Sequence, residues 1–301
     1  MIQEVDFCYT SLMRTLLLID GHALLYRFYH ALPPLSAPDG SPIQAIYGVA
    51  NVLIKLLSNE PPHFIAAALD RPEETFRKKE FSGYKAHRPP ASGDLIEQLM
   101  RLRGLFEIFS IPTLDKAGFE ADDILGTLVQ TFKNNPDLRI ELLSGDLDLL
   151  QLVENDTVSV RIIKNGLESS TLYTEAKVFE RYNLCPKELP DYKGLVGDAS
   201  DNIPGVSGIG PKQATELLKE FKTIEGIYEN LMIIRKQTAK KLEGEEKVAL
   251  LSRKLATIKI DVPLEKFDLK NLETPKIMPA KLIPYFTDLG FSSLVERLYE
   301  F

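Results

Sequence analysis

Residues 15–20, Thr-Leu-Leu-Leu-Ile-Asp, are apolar without a break until the acid, and Gly-His-Ala-Leu-Leu-Tyr-Arg-Phe-Tyr-His-Ala-Leu after them has the length and leucine content of a helix. The same run returns in Phe64 to Asp70 and in Ile140 to Asp146, the latter followed by Leu-Asp-Leu-Leu-Gln-Leu-Val. Val158 to Lys164 reads as a fourth strand. Strands without polar alternation, separated by helical stretches, belong to a largely parallel sheet covered on both faces. Ligands of such sheets gather at the carboxyl ends of the strands, so Asp20, Asp70 and Asp146 should converge on one rim. An acid after a strand is often only a turn or N-cap residue. Three at equivalent positions weaken that explanation.

Between 71 and 93 the periodicity fails. Arg71, Arg77, Lys78, Lys79, Lys85 and Arg88 stand there against three glutamates, and Phe76, Phe81 and Tyr84 interleave with them. The segment reads as a basic, mobile loop: either a solvated charge run or a nucleic-acid contact in which bases stack on rings and cations meet phosphates. Near Pro186 to Pro190 the strand signals stop and helical patterns take over, which places a domain boundary there. Residues 262–301, with Pro263, Pro275, Pro279 and Pro284, read as short helices joined by turns and carry no visible chemistry.

Composition narrows the class. With 301 residues, 44% hydrophobic and 26% charged, the chain is an ordinary globular protein of about two domains. No apolar run reaches the roughly 18 residues of a membrane span. Glu4 and Asp6 stand where a secretory signal carries cations, so the expected address is the cytoplasm, with no membrane partner. Cys8 and Cys185 are too few for a disulfide framework or a thiolate zinc site, so any metal must be oxygen-ligated. A net charge of −7 argues weakly against nucleic acid, but nine of the acids lie in short motifs, and without them acids no longer outnumber bases.

Those motifs carry the chemistry. On a helix through Gly-Phe-Glu-Ala-Asp-Asp-Ile-Leu-Gly-Thr-Leu, Ala121, Ile124, Leu125, Leu128 and Val129 share one face, which leaves Glu120, Asp122 and Asp123 facing away from the core. One or two acids in a first turn complement the helix dipole. Three in four residues repel one another, at a cost a bound cation would remove. Asp146 and Asp148 lie two apart, Asp198 and Asp201 three apart, and neither His nor Cys occurs in any of these motifs. An all-oxygen set suits Mg²⁺ or Mn²⁺. Asp20, Asp70, Glu120, Asp122, Asp123, Asp146, Asp148, Asp198 and Asp201 exceed what one ion binds directly, which points to two ions with several contacts through water. Two such ions can generate a hydroxide nucleophile and stabilise the leaving oxygen of a displacement at phosphorus. No phosphate loop, HExxH or GxSxG occurs.

After the last acids, Gly205, Gly208 and Gly210 make a tight loop and Pro211 opens a helix, followed by Lys212. Backbone N–H groups there could approach a phosphate closely and hold a strand without reading its sequence. A plain helix-turn-helix corner is the alternative, but glycine punctuation of this kind directly after Gly-Asp-Ala-Ser-Asp-Asn is more specific than that.

Together LLLIDGHALLYR, SGYKAHRPP, GFEADDILGTL, LLSGDLDLLQL and GDASDNIPGVSGIGPKQA resemble the bacterial 5′-nuclease family, the flap-endonuclease relatives that form the N-terminal domain of DNA polymerase I. The resemblance covers residues 13 to about 300, with every acidic motif in order. It implies a PIN-like α/β nuclease domain over 13–187 with a helical arch near 71–93. Over 188–301 it implies a helical region with a helix-three-turn-helix module for duplex DNA. The implied substrate is branched or nicked DNA, cut near a 5′ end to leave a 5′-phosphate, in primer removal and repair.

By position, Asp20, Asp70, Glu120, Asp122 and Asp123 resemble the ligands of a first metal, and Asp146, Asp148, Asp198 and Asp201 those serving a second. Arg27, Arg77, Tyr84, Lys85 and Arg88 match residues of the arch and its base that grip the scissile region, and Gly208, Gly210 and Lys212 fall in a hairpin that in relatives also holds K⁺. Residues 1–12 precede the point where relatives begin and are expected to be a disordered tail or an extension upstream of a start at Met13. A polymerase would need several hundred residues beyond Phe301, so this chain is expected to act with one fused or in trans, as a monomer, on DNA or on RNA primer strands. A non-catalytic module that binds branched DNA, and a nuclease acting mainly on RNA in hybrids, stay open as alternatives.

Overall fold

The computed structural model describes residues 13–59, 61–265 and 268–300. The expected tail, residues 1–12, lies outside them. Six strands, β1 (Arg14–Asp20), β2 (Phe64–Ala68), β3 (Thr113–Leu114), β4 (Leu138–Ser144), β5 (Val158–Ile162) and β6 (Thr171–Tyr173), form one sheet in the order β3-β2-β1-β4-β5-β6. Every pairing is parallel except that of β6, which closes the edge antiparallel to β5. The two-residue β3 and three-residue β6 escaped the sequence pattern, being too short to show a run. The four strands that did show one are the four longest.

Thirteen α-helices occur among the described residues: α1 (Gly21–Ala31), α2 (Gln44–Asn59), α3 (Phe76–Glu80), α4 (Gly93–Ile108), α5 (Ala121–Phe132), α6 (Glu175–Tyr182), α7 (Leu189–Val196), α8 (Pro211–Phe221), α9 (Ile224–Glu229), α10 (Lys236–Leu242), α11 (Glu246–Ala256), α12 (Pro279–Asp288) and α13 (Ser292–Leu298). Along β1 the pleat sends Leu17 and Ile19 into one core with Leu24, Phe28, Ile46, Val49, Leu102 and Phe106 of α1, α2 and α4. Leu16 and Leu18 go into the other, with Ile124, Leu125 and Leu128 of α5. Both faces of the sheet are therefore buried, which is why its central strands are apolar throughout.

A third core, built on Leu195, Ala214, Leu217, Leu218, Ile224, Ile227, Leu242 and Ala249, holds the α7–α11 region together. The expected division into 13–187 and 188–301 needs one correction at its far end. Leu282, Phe286, Leu289, Phe291, Leu294 and Leu298 of α12, α13 and the turn between them belong to the same core as Phe28 and Phe106, and the Phe286 ring lies 6.0 Å from that of Phe109. The chain thus returns to the α/β body. The strip between α11 and the next elements also crosses α5: a Cβ at Gly126 would meet Ile258 at 2.6 Å and the Lys259 carbonyl at 2.9 Å. Among the described residues no helix is long and apolar enough to cross a membrane.

Phe286 is fully buried in a core shared by the two ends of the chain. Phe286→Ala should destabilise the α/β body by about 3–5 kcal/mol, read by urea denaturation. A loss below about 1 kcal/mol would mean that α12 and α13 are an appendage.

Candidate active site

Asp20 is the last residue of β1 and pairs in register with Ala68 of β2, while Ile19 beside it pairs with Leu143 of β4. Asp70 lies two residues past β2 and Asp146 two past β4, so the three flank one another on the carboxyl edge of the sheet. Asp20 caps α1 by accepting the Ala23 N–H at 2.9 Å and accepts the Ser144 hydroxyl at 2.8 Å. Asp70 accepts the Ala121 N–H at 2.7 Å at the start of α5, which brings Asp122 to the same edge. Burial first, and then the neighbouring charges of Asp70 and Asp146, push Asp20 up to about 7. Burial, with Asp20, Asp146 and Asp148 nearby, holds Asp122 well above the usual carboxylate range. Burial and then Asp146 raise Asp148 to about 7, against the pull of Lys193. The donor set is all carboxylate oxygen, crowded and short of positive charge, and it fits a hard divalent cation.

Among the described residues no three Asp, Glu, His or Cys side chains are set to hold one ion directly. The sequence placed nine ligands in two sites; the first difference is that several of these carboxylates turn to donors of the protein itself. Asp146 accepts the Asp148 N–H at 3.0 Å. Lys193 Nζ reaches Asp148 Oδ1 and donates to Asp198 Oδ2 at 2.7 Å. That bridge, with Ser200, outweighs burial and holds Asp198 at about 2.

The second correction concerns Asp123. The helical wheel turned it to solvent; it is fully buried, because the strip from Leu255 to Val262 covers that side of α5. Its two oxygens accept from Arg77 Nη1 and Nη2, both at 2.7 Å, and Oδ1 also accepts the Lys259 N–H at 2.8 Å. Arg77 is itself only 3% exposed and donates further to the Leu255 and Thr257 carbonyls at 2.8 and 3.0 Å. Asp123 and Glu120 raise its pKa against the opposing effect of burial. Both oxygens of Asp123 and the guanidinium of Arg77 are thereby occupied, so the expected metal role of Asp123 and DNA role of Arg77 give way to a structural pair.

The segment 71–93 is not the mobile loop its composition suggested. Within it only α3 is helical, and the turns after it dock on residues 198–203: the Lys85 N–H donates to the Asp201 carbonyl at 2.8 Å and Asn202 Nδ2 to the Gly83 carbonyl at 2.7 Å. Tyr84, 4% exposed, packs with Ile203, Leu255 and Ala256. Its hydroxyl donates to Glu120 at 3.0 Å and to Asp201 at 2.9 Å, and burial and those two carboxylates raise its pKa. Lys85 Nζ donates to Glu120 Oε1 at 2.9 Å and Arg88 Nη2 to Asp201 Oδ1 at 2.6 Å. Glu120 and Asp201 therefore face the cations of this segment. Arg27, exposed on α1, donates to the Lys164 carbonyl at 2.8 Å on the far side of the edge.

In the hairpin between α7 and α8, Gly205 and Gly208 take positive φ, +63° and +78°, whereas Gly210 caps α8 with an ordinary extended backbone. A Cβ at Gly205 would stand 2.2 Å from the Gly197 nitrogen, and the Gly205 N–H donates to buried Ser252 Oγ at 3.0 Å. Its glycine is needed for packing, which removes Gly205 from the expected DNA contacts. The N–H groups of Gly208 and Gly210 make no internal hydrogen bond among the described residues, and Lys212 is exposed beside them.

Three polar residues of this edge were not read from the sequence. Ser144 ties Asp20 to the Asp146 N–H, His22 Nδ1 accepts the Asp70 N–H at 3.1 Å, and Lys193 spans Asp148 and Asp198. Burial lowers the His22 pKa and keeps that nitrogen an acceptor. For Ser144 the signal was present, one residue inside a motif already singled out. Lys193 lies five residues before Asp198, a spacing that signals nothing until the helix is placed.

The site thus combines carboxylates crowded on the carboxyl edge of a parallel sheet, a basic segment docked against them and, in the α7–α8 hairpin, glycine amides without an internal partner among the described residues. The profile of the 5′-3′ exonuclease N-terminal resolvase-like domain matches residues 15–183 and that of the 5′-3′ exonuclease C-terminal SAM fold matches 184–279. The chain belongs to the 5′-3′ exonuclease family. It is 41% identical over 285 residues to DNA polymerase I of Caldicellulosiruptor bescii, matching 94% of this chain and 33% of that one. With the 5′-3′ exonuclease of Aquifex aeolicus it shares 33% identity over 286 residues, 95% of this chain and 96% of that one. The chain thus spans about a third of the length of the polymerase relatives and nearly all of the Aquifex protein. Among solved structures, T5 5′-exonuclease with bound divalent zinc ions superposes with a TM-score of 0.66 at 25% identity, over 81% of this chain and 89% of that one.

The Arg77–Asp123 pair should behave as a buried ion pair does. Arg77→Met or Asp123→Leu alone should cost about 3–5 kcal/mol by leaving the partner's charge unanswered. The double substitution should cost less than the two singles together by about 1–2 kcal/mol, read as a double-mutant cycle in urea. Additive losses would mean that the two side chains are held by their other partners and not by each other.

Proposed function

We propose that this chain is a Mg²⁺-dependent, structure-selective 5′ nuclease that hydrolyses phosphodiester bonds near the 5′ ends of flapped or nicked DNA and leaves 5′-phosphates. The observation that carries the reading is the meeting of Asp20, Asp70, Asp122, Asp146 and Asp148 at one edge, with Lys85 and Arg88 docked beside them. Asp20, Asp70 and Asp122, with Glu120 at their border, would hold a first divalent ion. Asp146 and Asp148, with Asp198 and Asp201 behind Lys193 and Arg88, would serve a second. Because several of these acids already answer to a donor nearby, much of this holding would run through water. Bound there, Mg²⁺, or Mn²⁺ in its place, would activate water as the nucleophile and offset charge on the leaving oxygen.

The chain's own residues do the rest. Lys85 and Arg88, unlike buried Arg77, keep exposed surface beside Glu120 and Asp201, and they would position the scissile phosphate and answer charge developing on it. The Tyr84 hydroxyl holds Glu120 and Asp201 beside them, and Arg27 would add a cation from α1 near Gly145. Gly208, Gly210 and Lys212 would grip a duplex phosphate some distance away, with K⁺ as an additional counter-charge at the hairpin, so that affinity for duplex carries no base information. The same reading places the chain in the cytoplasm as a monomer that removes primer strands, RNA included, next to a polymerase fused to it or acting in trans. A module that only binds branched DNA gains nothing from acids massed against a polyanion, which disfavours that alternative.

Cleavage of a 5′-labelled flap duplex should require Mg²⁺ and stop in EDTA. Asp20→Ala and Asp146→Ala should each abolish it while flap binding survives, because each removes negative charge facing phosphate. Lys85→Ala and Arg88→Ala should lower the single-turnover rate roughly a hundredfold with a smaller effect on affinity. Near-normal turnover in both aspartate variants at saturating Mg²⁺ would falsify the assignment.

A further inference from the structure

The turn between α9 and α10, residues 230–234, holds two apolar side chains out in solvent on a fixed backbone. The Ile233 N–H donates to the Asn230 carbonyl at 3.1 Å, the Ile234 N–H to the Leu231 carbonyl at 3.3 Å and Asn230 Nδ2 to the Gly226 carbonyl at 2.8 Å. Leu231 and Ile234 pack into the core of the α7–α11 region. Between these anchors Met232 is 97% and Ile233 71% exposed. Single exposed apolar residues are ordinary, and Met100 on α4, 78% exposed, needs no further account.

The company of the pair is different. Arg235, Lys236 and Lys240 follow it, all exposed. Lys241 Nζ then joins α10 to the hairpin, donating to the Gly208 carbonyl at 2.7 Å and to Gln213 Oε1 at 2.9 Å. Helix α10 thus reaches the hairpin near its carboxyl end and follows directly on the apolar turn at its amino end.

We infer that Met232 and Ile233 form a wedge that enters the minor groove of the duplex gripped by the hairpin and presses on a base step. Proteins that bend or unstack duplex DNA use apolar side chains of this size, flanked by cations that hold the phosphates on either side. The neighbouring cations are the reason to commit to a polyanion rather than to a protein partner. The inference rests on the duplex-binding reading above and deepens it by adding a second contact. It also carries a signature of its own: an apolar contact displaces no counter-ions, whereas each phosphate contact does.

The test is binding of the full chain, in EDTA to prevent cleavage, to flap and plain duplexes that carry 2-aminopurine at successive positions, over a NaCl series. Wild type should brighten 2-aminopurine at one step. Met232→Ser combined with Ile233→Ser should lose that brightening and bind roughly tenfold more weakly with the salt slope unchanged. Lys236→Ala combined with Lys240→Ala should keep the brightening and reduce the slope by about two phosphate contacts' worth. Met232→Ser alone, a lighter change at a solvated position, should give an intermediate loss. A double serine variant that binds and brightens like wild type overturns the wedge. Self-association of wild type that the same variant abolishes, seen by sedimentation velocity, also overturns it and makes the turn a contact between copies. If wild type bound no duplex at all, the duplex-binding reading would fall together with the wedge, whereas the other two outcomes leave that reading standing.

Discussion

Carboxylates drawn to one edge of a parallel sheet repel one another, and their burial makes the repulsion stronger than it would be in water. Asp20, Asp122 and Asp148 record that stress in raised pKa values. Much of the surrounding structure answers it. Helix starts take up the side chains of Asp20 and Asp70, Ser144 fixes Asp20, Lys193 spans the gap to Asp198, and the docked basic segment faces Glu120 and Asp201. A site held together in this way is poised for added positive charge.

The strip after α11 has an importance out of proportion to its length. With the last turn of α11 it buries Asp123, receives two hydrogen bonds from Arg77 on the Leu255 and Thr257 carbonyls and fills the space over Gly126, so three segments distant in sequence become one wall behind the acids. Gln151 adds to the same joint, with its amide donating to the Ala256 carbonyl and accepting the Ile258 N–H. The α7–α11 region is tied to the sheet through that wall as well as through covalent linkage.

What could be read in the sequence follows from what each signal measures. Apolar runs that end in aspartate disclosed β1, β2 and β4 and with them the convergence of Asp20, Asp70 and Asp146, because strand direction and pairing order fix which ends meet. The family motifs placed the hairpin and the basic segment. The helical wheel failed for Asp123, since a wheel knows which residues share a face and not what another part of the chain will lay against it. For the same reason Arg77 looked like one more surface cation among Lys78 and Lys79. Composition could not tell a loose charged segment from one whose charges are matched by acids more than thirty residues away, as Lys85 is by Glu120. The proline-rich end of the chain looked inert because what it contributes here, the packing of Phe286 and its neighbours and the hydrogen bonds of Ser293 with Tyr47 and Arg297 with Asn51, leaves no motif in the sequence.

The position of β1 has a consequence for how the molecule is made. It is the first strand among the described residues and sits in the middle of the sheet, where Leu16 pairs with Phe64 on one side and with Ile140 on the other. The core under it is sealed by Phe286, Phe291 and Leu298. A chain emerging from the ribosome amino end first therefore leaves Leu17 and Ile19 without their partners until Leu143 and Phe286 have followed, and pairings this far apart in sequence form slowly.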